Sequence, residues 1–84
     1  MNARLTEQQI AGVQDILMDE LDVKREQLTP GAQLVEDLGA DSLDVVQIVM
    51  RIEEIFHVTL TDEVAEKEGT VEKLYEILAD ELGQ

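Results

Sequence analysis

The chain has 84 residues, 20 of them Asp or Glu against 6 Lys or Arg, for a formal charge of -14, and it contains no cysteine. That composition excludes disulfides, thiolate metal sites and cysteine nucleophiles, and it sets the chain against nucleic acid and anionic membrane surfaces, which carry charge of the same sign. A folded chain of this size buries only about 60 to 65 percent of its unfolded surface, enough for one domain and too little for a large enzyme cleft.

Helix signals begin at Thr6. Gln9 follows at the spacing of a capping box, and Ile10, Val13, Ile16, Leu17 and Leu21 then recur at helical intervals. The pattern predicts a first helix over about 6–21. From Asp22 to Asp41 the periodicity breaks. This stretch holds the turn signal Pro30-Gly31 and Gly39, yet Val23, Leu28, Leu34 and Leu38 are spaced to pin a long loop onto a core. A second helix is expected over Ser42–Phe56, capped by Asp41 or Ser42, with Asp44 adding negative charge to its first turn. Its expected core face is Val45, Ile48, Val49, Ile52, Ile55 and Phe56. A short third helix is expected near Asp62–Lys67, with Thr61 as its cap. A last one follows Thr70, with Val71, Leu74, Ile77, Leu78 and Leu82 as its buried stripe. A strand at Phe56–Leu60 would have nothing to pair with. Together the elements predict an all-α fold, a small bundle of three main helices plus one short helix, with the long loop between helices 1 and 2.

The apolar residues, 44% of the chain, are nearly all aliphatic, with Phe56 and Tyr75 the only aromatics. Such a core suits helix packing and offers no platform for stacking bases. Residues 1–35 carry 3 basic and 6 acidic side chains, while residues 36–84 carry 3 and 14. The second half is therefore the expected docking surface, and its partners should be basic. The first ten residues lack the apolar core of a signal peptide, and no segment approaches the ~18 apolar residues that cross a bilayer. A soluble, cytoplasmic protein of one domain, residues 1–84, is expected.

Placing successive residues of the second helix ~100° apart leaves Leu43 and Met50 outside the core arc, among Asp44, Gln47, Arg51 and Glu54. Two readings fit. Scattered surface apolar residues are common; alternatively, carboxylates steer a basic partner while Leu43 and Met50 supply contact area. Ser42, beside this face, either opens the helix or is a point of attachment. A phosphate ester there would meet unpaired backbone N–H groups and the positive end of the helix dipole, whereas Asp41 and Asp44 would repel a free anion. Hydrolytic use of Ser42 would need a base, and the one histidine, His57, lies fifteen residues along at the far end of the same helix. No catalytic residue and no dedicated metal site is expected. Glu53 with Glu54 and Asp62 with Glu63 offer weak divalent binding at most, and residues 37–44 lack the acidic spacing of an EF-hand.

The run Gly39-Ala40-Asp41-Ser42-Leu43-Asp44, opening an amphipathic helix in an acidic chain after a long first loop, resembles acyl carrier proteins of the fatty-acid-synthesis type. Agreement is close over residues 37–56 and looser, but in register, over nearly the whole chain. The resemblance implies that Ser42 accepts 4'-phosphopantetheine from coenzyme A through a phosphopantetheinyl transferase. The thiol of that arm would carry acyl groups as thioesters, so that the cofactor brings the sulfur the chain lacks. Asp41 would help the transferase's magnesium site, and Leu43 adjoins the attachment point. Leu43, Asp44, Met50, Glu53 and Glu54 would contact basic patches on acyl-chain synthesis and transfer enzymes. On the same recognition face, Gln47 stands where the family usually has glutamate and Arg51 where a small residue is usual. Ile55 replaces an acidic residue, and Glu68 sits where an apolar pocket residue is common. A monomer is the natural expectation for such a shuttle. Two other readings stay open: a carrier for polyketide, aminoacyl or unusual lipid chemistry, and an unmodified acidic interaction module that does not need Ser42.

Fourteen net negative charges on one small domain repel one another. Salt or magnesium is therefore expected to raise the melting temperature, measured by thermal unfolding at low salt with and without added ion; an unchanged value would contradict this.

Overall fold

A computed structural model describes residues 5–60 and 69–83. Among them are three α-helices, α1 (Glu7–Leu21), α2 (Ser42–Phe56) and α3 (Val71–Glu81), and a short 3-10 turn at Arg25–Gln27 that the sequence pattern did not suggest. The fold is all-α, as expected. Its one trace of sheet among the described residues is an isolated antiparallel bridge between Gln33 and Thr70. The short helix expected near 62–67, its cap Thr61 and the pocket position Glu68 lie outside the described residues.

Helix α1 starts where the capping box requires. The Gln9 N–H donates to Thr6 Oγ1 at 3.1 Å, and the Thr6 N–H donates to Gln9 Oε1 at 2.9 Å. The helix ends at Asp22, whose N–H still donates to the Met18 carbonyl and whose left-handed backbone (φ 55°) then turns the chain off the helix axis.

The long loop is wound tightly and tied to α3. Leu34 N–H donates to the Gly69 carbonyl at 2.9 Å, Val71 N–H to Ala32 at 3.0 Å and Glu72 N–H to Pro30 at 3.0 Å. Thr70 caps the third free amide, its Oγ1 accepting from Lys73 N–H at 3.0 Å. The opening donors of α3, which a helix leaves unpaired, are thus consumed by the loop and the cap. The loop also closes on itself, since Asp37 Oδ2 accepts from Gln33 N–H at 2.8 Å and the Ala40 N–H reaches the Leu34 carbonyl at 2.8 Å. Leu28, Leu34 and Leu38 are buried as expected, and Val23 is half-buried.

The core joins Val13, Ile16 and Leu17 of α1 to Val45, Ile48 and Ile52 of α2 and Val71, Leu74, Ile77 and Leu78 of α3. Each such side chain contributes about 1.5–3 kcal/mol by leaving water. Helices α1 and α2 approach closely at Gly12, where a Cβ would stand 3.4 Å from the Phe56 ring. Among the described residues no helix is long and apolar enough to cross a membrane.

Two expectations about helix faces need correction. Ile55 was placed on the core arc of α2 but is 54% exposed. It lies ~60° around the helix from Ile52, on the flank of Arg51 and Asp44, which is the polar edge of the arc. On α3 the buried set also includes Tyr75 and Ala79, while Leu82 is only half-buried.

Tyr75 is buried, yet its hydroxyl makes no well-formed hydrogen bond to the described residues. Burial pushes its pKa above the ordinary tyrosine value, with the Gln14 side chain and then the charge of Arg25 pulling the other way. Because burial favours the neutral phenol, the folded state keeps the proton to higher pH than the unfolded chain. The associated stability is whole below the unfolded tyrosine pKa of about 10 and is lost as pH rises through the higher folded value. Urea melts from about pH 8 to 11 should therefore show the wild type losing stability more steeply than Tyr75→Phe; parallel pH profiles would contradict the burial.

Candidate functional site

Loop geometry delivers the amino end of α2 to the surface. Leu38 and Ala40 are buried, and between them Gly39 takes a left-handed conformation (φ 77°) that other residues adopt only with strain. This turn sends the chain out of the core at Asp41, which is exposed.

Asp41 is the N-cap, which resolves the choice between Asp41 and Ser42. Its Oδ1 accepts from Asp44 N–H at 2.8 Å, and Asp44 Oδ2 accepts from Asp41 N–H at 3.2 Å, so the two aspartates form a reciprocal capping box. Each carboxylate thereby spends one oxygen on the helix terminus.

Ser42 is consequently free of the capping role. It is the first helical residue, it is exposed, and its hydroxyl makes no hydrogen bond to the described residues. The backbone N–H groups of Ser42 and Leu43 also have no partner among the described residues, in contrast to the opening donors of α3. An exposed hydroxyl beside two free amide donors at the positive end of a 15-residue helix fits a phosphate ester. His57 closes the other end of α2 as an exposed C-cap in left-handed conformation (φ 57°).

The remaining sequence-derived site residues divide into three groups. Leu43 and Met50 are 68% and 58% exposed, and Gln47 and Glu54 are exposed beside them. Val46, 49% exposed, completes an apolar stripe with them that the sequence reading missed. The spacing Leu43, Val46, Met50 is i, i+3, i+7, the signature of a single helix face, and would have revealed it. Glu53 is half-buried and partly committed to the fold, because its Oε2 accepts from Leu60 N–H at 2.9 Å and so pins the segment after α2. Arg51 is drawn toward α1, where Nη1 donates to Asp19 Oδ2 at 2.8 Å and Glu20 Oε2 at 3.0 Å. Hydrogen bonding to Asp19 first and Glu20 second pushes its pKa above the already high arginine value, so it is always charged.

The described residues thus form a small all-α fold with an exposed serine hydroxyl at the start of α2. Comparison with known proteins agrees: residues 11–83 match the family described as "Phosphopantetheine attachment site", and the chain belongs to that family. The chain is 51% identical to the protein named "Acyl carrier protein" of Syntrophobacter fumaroxidans over 65 residues, covering 77% of this chain and 80% of that one. It is 44% identical to the "Acyl carrier protein" of Buchnera aphidicola subsp. Acyrthosiphon pisum over 61 residues, covering 73% and 76% respectively.

The cap assignment is open to direct test. Asp41→Ala should cost about 1 kcal/mol in urea unfolding and Asp41→Asn only a fraction of that, because asparagine still accepts the Asp44 N–H. An equal loss in both would mean that the carboxylate charge matters more than the cap.

Proposed function

We propose that the chain is an acyl carrier protein of fatty acid synthesis, with 4'-phosphopantetheine esterified to Ser42. The observation that carries this reading is the freedom of the Ser42 hydroxyl: it is exposed at the first position of α2, within the family match, while Asp41 performs the capping. The relatives named acyl carrier protein support the cargo. When attached, the group supplies the thiol on which acyl chains ride as thioesters.

The residues of the chain hold and present that arm; they do not react with its cargo. Ser42 Oγ provides the ester oxygen, and the free N–H groups of Ser42 and Leu43 are available to the phosphate oxygens. Asp41 keeps Oδ2 unspent, available to a metal ion brought by the transferase. The negative charge of the second half draws in enzymes with basic docking patches, and the stripe Leu43, Val46, Met50 supplies apolar contact, flanked by Asp44 and Glu54. Catalysis belongs to those enzymes. The protein works as a cytoplasmic monomer, a form that lets it pass between successive enzymes.

Intact mass before and after incubation with coenzyme A, magnesium and a broad-specificity phosphopantetheinyl transferase tests the assignment. Wild type should gain one phosphopantetheine, and Ser42→Ala should gain none while keeping its melting temperature. A folded wild type that neither carries nor gains the group would refute the reading.

A further inference from the structure

Arg51 is the one Lys or Arg among the 15 residues of α2. It lies one turn beyond Gln47 and three residues before Glu54, so helix geometry sets it on the border of the Leu43, Val46, Met50 stripe. Asp19 and Glu20, at the end of α1, fix its position on the other side, which makes that border the α1 flank of the stripe.

The way it is held matters more than the fact that it is held. Both carboxylates bond to Nη1, and neither Nη2 nor Nε makes a hydrogen bond to the described residues. The guanidinium is a planar fork of five donors, so two bonds to one nitrogen orient it and leave the Nη2–Nε edge unspent. The Arg51 side chain is 36% exposed, against 22% for Glu20 and 73% for Asp19. Ion pairs this exposed add little to stability. The arrangement does more to aim the guanidinium than to hold the bundle together.

An acidic carrier would ordinarily meet a docking site lined with Lys and Arg. On this chain such a site would set a cation against Arg51 on one flank of the stripe, and juxtaposed like charges at an interface are strongly disfavoured. A carboxylate there would instead take two parallel hydrogen bonds from the free edge of the fork. Resting on the reading of α2 as the docking helix, we propose that Arg51 sets partner choice: the enzymes that serve this carrier receive the apolar stripe in a site whose rim carries a carboxylate opposite Arg51. The rest of that site remains basic, facing Asp44 and Glu54.

The experiment uses the full chain loaded with phosphopantetheine and malonyl, loading verified by mass, and the purified β-ketoacyl synthase of the source organism. Steady-state kinetics compare wild type, Arg51→Ala, Arg51→Glu and the pair Asp19→Asn with Glu20→Gln, all checked for folding by thermal melts. Arg51→Glu should raise KM about tenfold and Arg51→Ala by a smaller factor, with kcat unchanged, because a rim charge acts on encounter. The paired variant keeps the charge of Arg51 and, because the Asn and Gln carbonyl oxygens still accept from Nη1, its aim, so it should stay within about twofold of wild type. A KM that is unchanged or lower in Arg51→Glu overturns the proposal, as does a paired variant that matches Arg51→Glu, which would make Arg51 a tether only. Failure of wild type to load at Ser42 would count against the carrier reading itself; normal loading with a KM indifferent to Arg51 defeats this proposal alone.

Discussion

The N–H groups of Leu34, Val71 and Glu72, bonded to the carbonyls of Gly69, Ala32 and Pro30, join the loop after α1 to the start of α3. Backbone groups that enter a core must find partners, and a loop between two helices has no ladder of its own to provide them. Here two deficits cancel: the loop has carbonyls to place, and a helix start has amides to place. With the loop held in this way, Leu34, Leu38 and Ala40 can sit in the core, and the turn at Gly39 leaves α2 one direction in which to begin. The location of Ser42 is thus decided by contacts that do not include Ser42.

The start of α2 also separates two roles that one residue often shares. Serine is a favoured N-cap, and a serine in that role would have its oxygen engaged by the backbone. Asp41 takes the role, with Asp44 answering it, and the hydroxyl one position later is left without a partner among the described residues. The acidic pair has a second effect. Its charge discourages free anions at a helix start that would otherwise attract them, so the amides of Ser42 and Leu43 stay open.

Much of this was legible in the chain because it is local. The capping box of Thr6 and Gln9, the bounds of α2 and the cap at Thr70 depend on residues within one turn of each other. The burial of Leu28, Leu34 and Leu38 could be read from their persistence through a polar, turn-rich loop. What escaped was settled at longer range or at the edge of a face. Ile55 looks apolar enough for the core, but the packing of α1 on α2 decides how wide the buried arc is, and periodicity alone does not give that width. Arg51 read as part of a docking face, and its partners Asp19 and Glu20 lie more than thirty residues away in sequence. Glu53 read as a free carboxylate until the fold brought the Leu60 amide to it. The stripe that Val46 completes, by contrast, has a simple helical spacing that the chain itself displays.

Tyr75 is the one tyrosine of a chain that has no tryptophan, and its ring is buried in the core with its hydroxyl near Gln14 of α1. The near-ultraviolet absorption and emission of the protein therefore come almost wholly from a single ring at the seam between α1 and α3. That ring is a built-in optical gauge of the seam, readable without a label on the exposed face of α2.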